Sequence, residues 1–558
     1  MKKEKNLTLL NYIIFSVCIL TSTAYSTTFY VNNSKGNDKN NGTSANTPWK
    51  SLNSINSRNF EASDIILFKK GEIWNGRLNI SNEHGIDADP IVIKSYGSGA
   101  APIITTIGKM TDSWSSVGDG VWKYNGNATK NRLWRNGVEQ KRTGRVTEPK
   151  AQVELCKVAG VVWTYRNEKV HYCSSSNPSK GNTFTSILDT IAIGVQSASY
   201  IEISELDIRG GSLNLQNSNN ITVRKNLIGN GAVYGILANK TDNILIENNI
   251  FDSKFRLTFK DISSYEGTDN RGCEDAISAF GRMQNSKIRN NTFINWHHAA
   301  IGLELSGHTN NSIHHNYFTT KGLLYGRAFA ISHDKTQNNE IHHNLIENMG
   351  MRSQLNGKNN HYHHNWFLDT KDTPYKNRAE GQAFALEPYS GNPTGNIFEH
   401  NTIDGADDSC IEIIAQSTNG SYNINSNIFR KNLLKNCGRN PYYAWAKDKG
   451  ISIQNYADIQ GNTFIDNAFI GTKIYHRKKQ VTPSEFNARN GVSGDKISNN
   501  SSTLSNQGAG VLNRSLIGAN FSKSTFSTST TSNESTSTAS NESTSTNAFI
   551  MTKDGQLK

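Results

Sequence analysis

The sequence predicts an all-β solenoid, and three observations predict it. First, the six-residue pattern of an apolar residue, two variable residues, Asn, one variable residue and a second apolar residue recurs nine times: "VRKNLI", "IENNIF", "IRNNTF", "IHHNYF", "IHHNLI", "YHHNWF", "FEHNTI", "FRKNLL" and "IQGNTF". It places Asn at 226, 249, 291, 316, 344, 365, 401, 432 and 462. Second, the copies are 21 to 42 residues apart, most of them 21 to 31, which is a repeat of solenoid size. Third, each copy is followed by a loop and another short alternating segment, among them "YGILAN", "DAISAF", "AFAISHD" and "SCIEIIA". Short alternating segments rich in Val, Ile, Phe and Tyr are strands rather than helix turns.

In a stacked solenoid, equivalent residues of successive coils lie about 4.8 Å apart. The nine asparagines therefore line up as an internal ladder, Asn226, Asn249, Asn291, Asn316, Asn344, Asn365, Asn401, Asn432 and Asn462, whose amides satisfy one another and the turn backbone. On these motifs, and on the N-terminal "FYVNNSKGNDKNNGTSANTPWKSLNSI", the chain resembles the secreted right-handed parallel β-helix proteins of the pectate-lyase-like superfamily. The resemblance covers roughly residues 28 to 500. It implies a right-handed single-stranded parallel β-helix with an N-terminal capping helix, a β-rich lateral insertion and a disordered C-terminal tail, and a carbohydrate-active function.

The elements follow in order. Residues 1–26 combine Lys2, Lys3 and Lys5 with the apolar "LTLLNYIIFSVCIL" and the small-residue ending "TAYS", the three-part layout of a secretory signal cleaved near Ser26. The expected location is therefore secreted, periplasmic or cell-surface. Residues 27–109 hold the cap and the first coils: Pro48 at a helix start puts Trp49, Leu52 and Ile55 on one face, and "DIILFKKGEIWNGRLNI" and "PIVIKSYG" read as strands. Residues 110–190 break the coil period and read as an antiparallel insertion. Residues 191–500 form the main coils. From 501 to 558 the chain turns to Ser, Thr and Asn, with "SNESTST" at 532 and again at 540, and should be a disordered linker or stalk.

Charge and cysteine narrow the partners. The formal charge is +12, and about +10 without the leader's three lysines and one glutamate. In an exported chain with no nucleic-acid motif and no later apolar run long enough to span a membrane, this favours an anionic glycan. A monomer is expected. Cys156 and Cys173 flank a hairpin and are the expected disulfide; Cys410 reads as a small buried residue. No CxxC pair marks a zinc site, and no loop has ligand spacing for calcium, which stays a candidate cofactor.

The companion strands place a groove. Taking Ile236/Ala238, Ile277/Ala279, Ile301/Leu303, Phe329/Ile331, Phe384/Leu386, Ile411/Ile413 and Ile451/Ile453 as inward pairs, one outward column reads Leu237, Ser278, Gly302, Ala330, Ala385, Glu412, Ser452. The next reads Asn239, Phe280, Glu304, Ser332, Glu387, Ile414, Gln454. Glu304, Glu387 and Glu412 thus rise from a floor of small residues, with Glu304 and Glu387 two coils or roughly 10 Å apart. That suits an inverting glycosidase, whose carboxyls stand roughly 6.5 to 9.5 Å apart. Glu387 with Glu412 is the alternative pair, and Asp407 or Asp408 can supply the acid.

The groove edges carry His297, His298, His308, Arg327, His333, Asp334, Lys335, Arg352, Arg378 and Glu380. A lyase needs a base for the proton beside a uronate carboxylate and a cation to neutralise that carboxylate. His333 or Lys335 fits the base, and Arg327, Arg352 or calcium the neutraliser, with His297, His308, Asp334 and Arg378 as substrate contacts. The charge and these edges rank a polysaccharide lyase narrowly first, a hydrolase using Glu304, Glu387 and Glu412 second, and a non-catalytic glycan-binding adhesin third.

The "HHN" stretches belong to the ladder turn. His314, His342 and His363 should stack in one column, with Arg289 before and Glu399 after. His315, His343, His364 and His400 should stack in the next, one sheet away from the groove, as a polar ladder rather than a metal site.

Overall fold

Alternation of apolar and polar residues gives short strands, and left-handed turn residues fold them into coils. The computed structural model describes residues 26–128, 132–140, 156, 163–254, 274–304, 306–321, 326–371, 380–387, 390–414, 416–417, 420–421, 423–439, 449–453, 462–476, 479–482, 484–485, 492–493, 496–498, 509 and 512–519. The expected signal, apart from Ser26, lies outside these residues. Three long sheets run along the molecule, one of 16 strands and two of 13, and successive coils pair in parallel. The protein is a right-handed parallel β-helix.

Each coil visits the sheets in a fixed order. In one coil, Ser312–His314 lies in the first sheet, Tyr317–Thr319 in the second and Arg327–Ile331 in the third. The first turn is tight because the residue before the ladder asparagine adopts a left-handed backbone: Lys225, Asn248, Asn290, His315, His343, His364, His400, Lys431 and Asp466 all have φ between 51° and 55°. Such a residue costs conformational energy, which the buried Asn beside it offsets through hydrogen bonds. Asn344, for example, donates from Nδ2 to Asn365 Oδ1 (3.0 Å) and to the Ile313 carbonyl (2.9 Å).

The ladder holds from Asn226 to Asn432 as expected, but Asn462 is not its ninth rung. Asn432 donates to Asn467 Oδ1 at 2.9 Å, so the true last copy is "FIDNAF" at 464–469. Asn462 belongs to a second ladder at the other end of the first sheet, where Asn311, Asn339, Asn360, Asn396, Asn427 and Asn462 accept or donate in turn. Inside, aromatic residues stack coil on coil: Phe251, Phe293 and Phe318 at 4.8 Å, and Tyr362, Phe398, Phe429 and Phe464 at 4.7 to 4.8 Å.

Four further features differ from the sequence reading or add to it. The capping helix, Leu52–Asn56, starts after Ser51 rather than at Pro48, because Asp38 accepts from the Lys50 and Ser51 N–H groups and fixes that stretch as a turn. Trp49, Leu52 and Ile55 nevertheless bury together at the end of the core. Between Ile107 and Ile187, two four-stranded antiparallel sheets enclose a separate core containing Trp114, Trp163, Tyr172 and Phe184. Cys156 bonds Cys173, and Cys410, though buried, bonds Cys437 rather than standing free.

The tail departs too. Ala509 and residues 512–519 lie back across the second sheet, with the Ala509 N–H on Thr402, Arg514 on Glu347 and the Gly518 N–H on the His315 carbonyl. Leu512 and Ile517 pack beside Leu345 and Trp366, which is apolar burial that the Ser/Thr reading of 501–558 overlooked. Residues 520–558 lie outside those described.

Candidate functional site

Strands of the first sheet bury alternate residues, whereas Asp275–Ala279, Ala299–Leu303, Arg327–Ile331, Ser353–Leu355, Phe384–Leu386 and Ile411–Ile413 in the third sheet bury all of theirs. Outward residues that are buried mark this face as the candidate groove. In register along its floor stand Leu237, Ser278, Gly302, Ala330, Gln354, Ala385, Glu412 and Ser452.

Gln354 is new in this column. Its strand, Ser353–Leu355, belongs to a coil missing from the columns read in the sequence, because the strand is three residues long and lacks the apolar pair. Glu304 and Glu387 are consequently three coils apart, not two, or about 14 Å at the backbone on strand spacing. They do not form the glycosidase pair the sequence suggested. The charged groups instead gather in two centres.

In the first centre, Asp275 lies in register with Ala299 and Arg327. Its carboxylate accepts from the Ala299 N–H at 3.1 Å and holds His298 Nδ1 at 2.8 Å, with Glu304 4.0 Å from the same nitrogen. Gly302 makes room for it: a Cβ there would stand 2.9 Å from Asp275 Oδ2. Burial alone would lower the His298 pKa, but Asp275 and Glu304 outweigh it and hold the imidazole above its ordinary value. His298 is thus suited to carry a proton at neutral pH.

The second centre is built around the buried Arg352. It donates to Glu387 and, at 3.2 Å, to Gln382 Oε1, and its Nη1 is 3.5 Å from Glu412 Oε2. Gln382 Nε2 donates to Glu412 at 2.7 Å and to Asp408 at 3.1 Å, while the Ser409 N–H binds the other Asp408 oxygen. Burial pushes the Glu387 carboxyl up, but Arg352 and then Arg327 bring it below the usual value, so it stays ionised. Its side chain is 21% exposed and Glu412's 4%, so Glu387 is the member of the cluster that faces the groove space.

Arg327 lies between the centres. It is buried, its Nη2 contacts Met351 Sδ at 3.0 Å, and its charge acts on both His298 and Glu387. Among the described residues no ion pair engages it.

The remaining expected residues divide clearly. His308 is fully buried with neither ring nitrogen hydrogen-bonded, and burial with the nearby His333 pushes it down to about 4; it packs beneath the turn and is no substrate contact. His297 is buried as well. His333 bonds Ser390, Asp334 pairs with Lys358 at 3.1 Å and Lys335 is exposed, so all three sit on the loop beside the groove rather than on its floor. Arg378 lies outside the described residues. Asp275 and Gln382 were missed; each precedes its strand's inward pair by two residues, a position the outward columns did not extend to.

The second sheet's neighbour, the first sheet, carries the histidines as the ladder predicts. His314, His342 and His363 stack at 4.8 Å, and His315, His343, His364 and His400 at 5.1 to 5.2 Å.

Residues 114–321 match the family described as periplasmic copper-binding protein (NosD). Among curated proteins, the chain is similar to a lacto-N-biosidase of Bifidobacterium longum subsp. longum, at 35% identity over 99 residues. That is 17% of this chain and 6% of the relative, so the chain spans a small part of that protein's length. Among solved structures it is similar to XylC in complex with xylose (TM-score 0.46, 11% identity, 85% of this chain and 86% of that one). It is also similar to a GH136 lacto-N-biosidase from Eubacterium ramulus (0.38, 13%, 84% and 67%) and to a mannuronic acid specific family 6 polysaccharide lyase from human gut microbiota (0.41, 10%, 80% and 88%). The chain is a right-handed parallel β-helix protein, and carbohydrate-active enzymes stand among the proteins it is similar to.

Proposed function

We propose that the protein is an exported enzyme that degrades a polysaccharide by hydrolysis, with Glu387 and Glu412 as its working carboxyl pair. The observation that carries this reading is their convergence: two carboxylates from neighbouring coils meet one buried guanidinium in the middle of a groove. Glycoside hydrolysis needs one ionised carboxylate, as nucleophile or base, and one carboxyl that delivers a proton to the leaving oxygen. Arg352 holds Glu387 ionised. Glu387, Glu412 and, through Gln382, Asp408 gather about Arg352, with Arg327 acting on Glu387 as well, and Glu412, the more buried of the pair, is then the carboxyl that delivers the proton.

The same charge count argues against the elimination that the sequence ranked first. Arg352 is already engaged by two carboxylates, and Asp275 and Glu304 add more negative charge where an anionic sugar would lie. Arg327 supports the second reading, a lyase: it is a buried cation without a carboxylate partner among the described residues, suited to a uronate group.

The test is to incubate the purified protein with neutral and uronic-acid polysaccharides, following new reducing ends and the ultraviolet absorbance of an unsaturated product in parallel. Reducing ends alone are expected, and they should be lost in Glu387→Gln. Absorbance rising with the reducing ends would establish elimination instead. Neither signal, with retention on a glycan column, would make the groove a binding surface.

A further inference from the structure

The histidine face holds a donor set that stacking alone does not explain. In the first sheet, the strand Glu340–His342 pairs with His361–His363 so that Glu340 stands beside His361 and His342 beside His363. Residues two apart on a strand share a face, so these four side chains form a rectangle pointing outward. One donor atom each from Glu340, His361 and His363 lie within 4.8 Å of one another, and so do those of His342, His343 and His363.

We infer that Glu340, His361 and His363 form a site for a divalent transition-metal ion of the Zn2+ or Cu2+ class. Two imidazoles and a carboxylate suit such borderline ions, whereas hard Ca2+ and Mg2+ prefer oxygen alone. The ion sits about 2.0 Å from each nitrogen, so donors within 4.8 Å converge by side-chain rotation without backbone movement.

Two surrounding features fit a ligand role. His361 Nε2 lies 2.7 Å from Glu399, which Arg430 grips in turn. A proton placed on Nε2 toward that carboxylate leaves the other ring nitrogen with its lone pair free for a metal, the carboxylate-histidine-metal arrangement. Glu340 is exposed and the two imidazoles are partly exposed, so an ion can enter. Stacking by itself requires neither Glu340 nor the orienting Glu399. The three residues lie beyond the 114–321 segment that matches the NosD family, and the site is independent of the groove.

The experiment is calorimetric titration of the tag-free, chelator-treated protein with ZnCl2 and CuCl2 separately, with CaCl2 as comparison. One Zn2+ or Cu2+ per chain is expected, with nitrogen couplings in the Cu2+ electron paramagnetic resonance spectrum and no heat from CaCl2. His361→Ala/His363→Ala should abolish binding while the metal-free melting temperature shows that the chain folds. Glu340→Gln and Glu399→Gln should each weaken binding ~10- to 100-fold, and decide the matter if the double variant does not fold. Absence of binding, or wild-type affinity in these variants, would overturn the site. Loss of binding in Glu304→Gln alone would place the ion in the groove, at Asp275, His298 and Glu304, and would overturn it equally.

Discussion

The groove sheet and the histidine sheet are built from the same coils, yet they use side chains in opposite ways. On the histidine sheet, like stands above like: imidazoles stack at 4.8 Å and every turn repeats one left-handed residue. On the groove sheet no two coils carry the same outward residue between Ser278 and Gln354, and the charges appear singly, each with partners of its own. Repetition on a solenoid marks what every coil needs in order to fold. A departure from repetition on a buried outward face marks what one place needs for its chemistry.

The largest test of this contrast is the removal of a guanidinium from each face. Arg352→Met leaves Glu387 and Glu412 buried without their cation, and should cost about 3 to 5 kcal/mol in urea denaturation and bring hydrolysis to background. Arg430→Met, in which a 43% exposed arginine leaves Glu399, should cost under about 1 kcal/mol and leave activity intact. Equal costs would mean that the groove cluster is no more buried in effect than a surface pair.

Next in size, Glu387→Gln should lower kcat by about 100- to 10,000-fold with little change in denaturation midpoint. Asn344→Ala gives the reverse profile. It removes the side-chain amide that donates to the Ile313 carbonyl and the oxygen that accepts from Asn316, and should cost about 1 to 3 kcal/mol while kcat holds wherever the protein is folded.

The smallest effect is in the pH dependence of stability. Burial and neighbouring imidazoles push His314, His343 and His363 down to about 4 and His342 to about 3, below the ordinary 6.5. The unfolded chain therefore binds protons first as pH falls. In metal-free protein the stability from these groups is complete above pH 6.5 and is lost progressively as pH drops toward 4 and 3. His342→Asn should flatten that slope in a pH series of thermal melts. His298 of the groove, whose pKa Asp275 and Glu304 raise, has the opposite sign: its stabilisation is present below 6.5 and fades as pH rises through the elevated pKa.

The same contrast explains what the sequence disclosed. The ladder and the histidine columns were legible because a backbone requirement repeats, and each rung announces itself by its Asn. Even there, Asn462 was assigned to the wrong ladder, since an Asn five residues before the next one satisfies the same local pattern. The second ladder was readable in "NNSIHHN" had that five-residue interval been followed. In the groove, Glu387 and Glu412 were visible as outward carboxylates. Their meeting on Arg352 was not, because it depends on a coil, Ser353–Leu355, whose polar strand gives no apolar signal. Asp275 and Gln382 act through register with distant strands, and a single chain shows nothing of such register. Cys410 likewise meets Cys437 because a strand of the second sheet ends beside the loop into the third.

The central claim, that the groove hydrolyses glycosidic bonds, is tested most directly by the mass of the products formed in heavy-oxygen water. Hydrolysis predicts one heavy oxygen per cleaved bond, carried by the new reducing end, with no products formed by Glu387→Gln. Products lighter by one water and free of label would contradict the account and establish elimination.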